Sequence, residues 1–109
     1  KNDGISYVTG GIGDEEMDEM KAQELNFNVR ILISTVQGEY MGDAAIRFLD
    51  QKNVEVLRVS SVGPFFYVNL PAGVYLAEVA SPKGTIQKAK VVAREKIPES
   101  GKIVIRFNE

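Results

Sequence analysis

From Phe27 onward, apolar and polar residues alternate with period two, the pattern of strands that bury one face. Val29, Ile31 and Ile33 alternate with Arg30, Leu32 and Ser34 until Gln37-Gly38 ends the run. A second strand is predicted over 44–49, with Ile46 and Phe48 on one face, and residues 50–53 (Asp-Gln-Lys-Asn) read as a turn into a strand over 54–59. After the break at 60–64 comes a strand over 65–70. Pro71-Ala72-Gly73 turns the chain into 74–80, where Tyr75, Ala77 and Val79 share the face to be buried. Pro82-Lys83-Gly84 leads into 85–94, and a turn over 98–101 precedes a last strand over 102–107. About seven short strands, with turn signals every ~8–12 residues, predict an all-β fold: an antiparallel Greek-key β-sandwich.

The stretch before Phe27 follows another rule. Residues 4–13 are glycine-rich, with Ile5, Tyr7 and Val8 as apolar anchors. Residues 14–25 lack β-branched side chains and place their acids in the first turns, where the helix dipole favours them, so the sequence predicts one short α-helix. Gly13 or Asp14 is the expected N-cap; with Gly13 as cap, Ile12 and Met17 hold the hydrophobic-staple positions. Met17, Met20 and Leu25 form a thin apolar stripe, so the helix is expected to lie on the body of the protein. The expected organisation is therefore residues 1–26, a glycine-rich segment and acidic helix docked on the sandwich, and residues 27–109, the sandwich itself. The expected core is Val29, Ile31, Ile33, Ile46, Phe48, Tyr75, Val79, Ile103 and Ile105.

Composition narrows the chemistry. The chain has 109 residues, 44% hydrophobic and 26% charged, as a single globular domain requires. No apolar run approaches the ~18–20 residues of a spanning helix, so no transmembrane segment is expected. Histidine, cysteine and tryptophan are absent. Ser/His/Asp and Cys/His catalysis, thiolate redox chemistry and zinc sites built on His or Cys are thereby excluded. The net charge of −2 argues against a nucleic-acid partner. Charge is unevenly spread, however: residues 1–26 carry two lysines against seven acids, and residues 27–109 carry eleven basic against eight acidic residues. An acidic N-terminal segment precedes a mildly basic body, and the two have charge to attract each other.

The motifs that invite a catalytic or cofactor reading fail in detail. Gly10-Gly11-Ile12-Gly13 precedes a helix, but a dinucleotide fingerprint needs glycine where this chain has Glu16, and no strand–helix–strand unit surrounds it. Asp14-x-Glu16-x-Asp18 opens like a calcium loop, yet Glu19 stands where glycine is needed and Leu25 where the loop's closing glutamate belongs. Gly-x-Ser-x-Gly and Ser-x-x-Lys are both missing. The expectation is no enzyme, no cofactor and no metal site.

Two surface features remain. In 85–94, Thr85, Gln87, Ala89, Val91 and Ala93 share one face, which leaves Lys88, Lys90 and Arg94 as a basic ridge beside Ile86 and Val92. The ridge suits an anionic partner or the acidic helix, or is a solvated face whose lysines discourage edge pairing. The run Phe65-Phe66-Tyr67 puts at least one aromatic on each face of its strand, either as a contact site or packed under the N-terminal helix. Lys88, Lys90, Arg94 and one of Phe65, Phe66 and Tyr67 are the candidate partner-contact residues.

Leu70-Pro71-Ala72-Gly73-Val74-Tyr75, the alternating strand behind it and Ser81-Pro82-Lys83-Gly84 resemble the Leu-Pro-x-Gly-x-Tyr signature of carboxypeptidase regulatory-like domains. These are small transthyretin-like (prealbumin-like) sandwiches. The segment 39–46 sits where that family places its first turn and next strand, so the signature covers residues 38–92. The block 7–17 (Tyr-Val-Thr-Gly-Gly-Ile-Gly-Asp-Glu-Glu-Met) and Ser61-Val62-Gly63-Pro64 resemble a narrower family, small exported proteins of Gram-negative bacteria without an established function. The resemblance implies a non-catalytic, periplasmic or secreted module. The chain opens at Lys1, as expected of a product whose signal peptide has been removed. The expected role is a binding or structural module acting through its surface on a protein or cell-envelope component. The alternatives are a small carboxylate-dependent hydrolase or carbohydrate-binding module of the envelope, and a subunit of an envelope assembly.

Overall fold

The computed structural model describes residues 5–97 and 102–108; the turn expected over 98–101 and the first glycine of the N-terminal stretch, Gly4, lie outside them. Eight strands and one helix follow in order: β1 (Tyr7–Gly10), α1 (Gly13–Ala22), β2 (Val29–Thr35), β3 (Ala45–Leu49), β4 (Glu55–Ser60), β5 (Phe65–Val68), β6 (Gly73–Ala80), β7 (Ile86–Ala93) and β8 (Ile103–Phe107). They form two four-stranded sheets, β1-β5-β2-β8 and β4-β3-β6-β7. The fold is a β-sandwich with one short helix.

The strands begin where the alternation begins. Ile31 and Ile33 of β2, Ile46 and Phe48 of β3, Ala77 and Val79 of β6 and Val91 of β7 are all at most 1% exposed, and they meet between the sheets. The tight turns follow their residues. Asp50 accepts at its Oδ1 from the Lys52 and Val54 amides, and Asn53 takes the left-handed conformation at φ 67°. Ser81 Oγ accepts from the Lys83 and Thr85 amides. The Tyr75 hydroxyl donates to the Pro71 carbonyl at 2.7 Å, closing the Leu-Pro-x-Gly-x-Tyr turn on itself.

Three features depart from expectation. Residues 7–10 form an edge strand: Tyr7 pairs with Val68 and Thr9 with Phe66, so the sheet begins ahead of residue 27. One strand pair is parallel. β7 runs toward the Gly73 end of the sandwich and β8 returns in the direction of β2, placing Ile103 beside Ile31 and Ile105 beside Ile33. The helix is shorter than 14–25. It ends at Ala22 and a 3-10 turn, Glu24–Asn26, brings Phe27 round onto Tyr67.

The helix cap also differs from the expected Gly13 or Asp14. Ile12 occupies the cap position and is 64% exposed, so it does not serve as a staple. Glu16 Oε1 instead reaches back to accept from the Gly11 and Ile12 amides at 3.2 and 3.1 Å. The helix rests through Met20 and Met17 on Phe65, Tyr67, Leu32, Val8 and Phe27, a second apolar cluster on the outer side of the β1-β5-β2-β8 sheet. That sheet is therefore buried on both sides, which is why Arg30, polar in the strand pattern, is only 3% exposed. We call it the covered sheet. Among the described residues nothing covers the outer side of β4-β3-β6-β7, and we call it the open sheet.

At the far end of the molecule from the glycine-rich loop, Asn28 ties three segments together. Its amide nitrogen donates to the Leu70 and Arg94 carbonyls, its Oδ1 accepts from the Leu70 amide, and its own backbone amide donates to Asn69 Oδ1. Among the described residues no helix is long and apolar enough to cross a membrane.

Candidate functional site

The register of the open sheet sorts its outward side chains into rungs. Ser60, Ala45, Ala80 and Ile86 form one row; Arg58, Arg47, Glu78 and Lys88 form the next; Leu49, Leu76 and Lys90 lie in the third. Strand pairing thus sets four charged residues side by side across the whole sheet. Arg47 Nε donates to Glu78 Oε1 at 2.7 Å, and Lys88 Nζ lies 3.8 Å from the other Glu78 oxygen. Arg58 grips Glu55 through Nη2 at 2.7 Å and Nε at 3.0 Å, and Arg47 Nη1 reaches the same carboxylate at 3.5 Å.

These contacts fix protonation. The Arg58 hydrogen bonds hold the Glu55 carboxyl below its ordinary value, and the Arg47 hydrogen bond does the same for Glu78. The Glu78 hydrogen bond in turn raises Arg47. Both carboxylates stay ionised near neutral pH and hold no proton to donate as general acids. Among the described residues no cluster of three Asp or Glu is arranged to hold a metal ion.

Beside the charged rung the small row makes a trough of about 370 Å³, floored by Ala45 and Ala80, closed by Ile86 and walled by Arg47, Arg58 and Glu78. Ile86 is 57% exposed. The depression of about 400 Å³ at the loop end, lined by Thr35, Tyr40, Met41 and Pro82, has Glu39 and Lys83 on its rim and so presents no face of one sign.

The basic ridge lies where the alternation placed it. Gln87, Ala89, Val91 and Ala93 turn inward, and Lys88 and Lys90 stand exposed on the outward side of β7, the edge of the open sheet. Arg94 is exposed one residue past that strand. The aromatic run behaves otherwise. Phe65, Phe66 and Tyr67 are each at most 1% exposed: Phe66 points into the main core, while Phe65 and Tyr67 lie under the helix. None of the three offers a ring to a partner, because a strand between β1 and β2 with a helix on one side has no free face. Among the described residues the buried Tyr67 hydroxyl meets no hydrogen-bond partner, and burial pushes its pKa up to about 12.

The acidic segment meets the basic body at Glu24, 3.7 Å from Lys102 Nζ, but the helix does not meet the basic ridge. Helix α1 sits outside the covered sheet and Lys88 and Lys90 outside the open sheet, with both sheets and the core between them. The rung itself escaped the sequence reading. Ile46 and Phe48 on one face leave Arg47 on the other, but its alignment with Arg58, Glu78 and Lys88 depends on a register that alternation alone does not give.

No family model matches the sequence, and no curated protein does. Among solved structures, the chain is similar to the major pilin subunit of Bacillus cereus at 18% identity and a TM-score of 0.43, over 74% of this chain. It spans 27% of that protein's length.

Proposed function

We propose that this chain is a non-catalytic, exported module of the carboxypeptidase regulatory-like type that acts in the periplasm or outside the cell. Its contact surface is the outward face of the open sheet, and Lys88, Lys90 and Arg94 meet an anionic protein or cell-envelope component there. One observation carries the reading: the open sheet is an uncovered sandwich face whose edge strand points two exposed lysines outward, while the aromatic alternative is buried. The Tyr75–Pro71 hydrogen bond supports the family resemblance, since it gives the tyrosine of the signature a structural task. Two carboxylates that each serve arginines support the absence of acid–base chemistry.

The test is a ¹H–¹⁵N titration with soluble peptidoglycan fragments and fractionated envelope extract. Shifts centred on Lys88 and Lys90 are expected. The triple variant K88E/K90E/R94E should weaken the apparent affinity on the order of tenfold or more, because each reversed contact charge is worth roughly 0.5–1 kcal/mol, and should stay folded at a slightly lower unfolding temperature, since K88E sets a second carboxylate opposite Glu78. Undiminished binding by the triple variant would remove the open sheet from consideration.

A further inference from the structure

The charge distribution has a direction. Asp14, Glu15, Asp18 and Glu19 are exposed along α1, outside the covered sheet; Arg58, Lys88 and Lys90 are exposed on the opposite side, outside the open sheet. Each signed face also holds exposed apolar side chains, Val92 (44% exposed) among them on β7. Ile12, 64% exposed, opens the acidic helix, and Ile86, 57% exposed, closes the trough beside the basic rung. The dimensions agree. A helix of the length of α1 is about 15 Å long, and a four-stranded sheet is about 14 Å across.

We infer that the partner seated on the open sheet is a second copy of this chain, docked through its acidic helix; this rests on the open sheet being the contact surface. Ile12 of one copy sits against Ile86, Ala45 and Ala80 of the next, and the helix carboxylates face Arg58, Lys88 and Lys90. The two patches differ, so the contact is heterologous: every added copy leaves one free helix and one free sheet, and the copies stack in open rows. The footprint of one short helix is far below that of a permanent interface, so the rows are dilute-labile and salt-sensitive.

The experiment is sedimentation velocity from about 10 μM to 1 mM protein, at about 20 mM and about 500 mM salt, which takes the Debye length from ~20 Å to ~4 Å. The expected result is a sedimentation coefficient that climbs with concentration in low salt and stays monomeric in high salt. K88E/K90E and D18K/E19K, both at exposed positions, each abolish the climb alone. Mixed in equal amounts they recover association as far as a pair, because the unaltered helix of one fits the unaltered sheet of the other once and leaves only altered patches free. A chain that stays monomeric throughout in low salt, or an association that ignores both variants, overturns the inference. If the monomeric chain still captures anionic envelope fragments through Lys88, Lys90 and Arg94, the contact surface stands and only the second copy is wrong. If it captures none, both fall.

Discussion

Tyr75 and Tyr67 both lie in apolar surroundings, and their hydroxyls meet different fates. Tyr75 donates to the Pro71 carbonyl, whereas Tyr67 is enclosed by Phe27, Phe65 and the helix with no acceptor. An unmet buried hydroxyl costs more than the packing of its ring requires. Tyr67→Phe should therefore stabilise the protein by about 1 kcal/mol, while Tyr75→Phe should cost about the same, both read as shifts in the urea midpoint at a constant slope. The phenol of Tyr67 also fixes an alkaline limit. Its folded pKa of about 12 lies above the ordinary value of 10.0, so its share of stability is complete below pH 10 and is lost as pH rises toward 12. Tyr67→Phe should flatten that decline in a denaturation series.

At the scale of elements, the sandwich holds its N-terminal strand by close backbone contact. A methyl group at Gly63 would be driven into the Gly10 carbonyl, because the β4–β5 loop crosses directly over the end of β1. Gly63→Ala should destabilise by roughly 2–3 kcal/mol in the same assay, with amide exchange accelerated first in β1. Most strands were legible to within a residue or two, since an inward Ile-x-Ile or Tyr-x-Ala-x-Val pattern has only one side to bury. β1 was not. Tyr7–Gly10 is short, ends in glycine, and is a strand only because Phe66 and Val68 stand ready to pair with it. The helix was legible in its acids but not in its end: Gln23 N–H turns back to the Met20 carbonyl because Phe27 must reach Tyr67, a demand of tertiary packing. Asn28 gave no signal either, for nothing in its spacing distinguishes a four-bond clasp from a polar turn residue.

For the molecule as a whole, the charged rung sets the response to acid. Glu55 and Glu78 have folded pKa values below 4.5, so their contribution is complete above that value and is lost as pH falls through the lower, folded one. Thermal unfolding temperature should drop below about pH 4, and Arg47→Met, which removes a partner from both carboxylates, should blunt that drop while lowering the neutral-pH value. Of the candidate contact residues, the basic ridge was readable because a strand displays every second side chain. The burial of Phe65, Phe66 and Tyr67 was not, because it depends on a helix and a strand contributed from elsewhere in the chain.

The two sheets also differ in when they can exist. The open sheet is made from β3 beside β4 and β6 beside β7, neighbours along the chain that close as they are made. The covered sheet waits: Thr9 must meet Phe65, 56 residues on, and Ile31 must meet Ile103 near the end of the sequence. Loop closure over such distances is slow compared with hairpin formation. The covered sheet thus stays incomplete until β8 has been made, while the open sheet can already be finished.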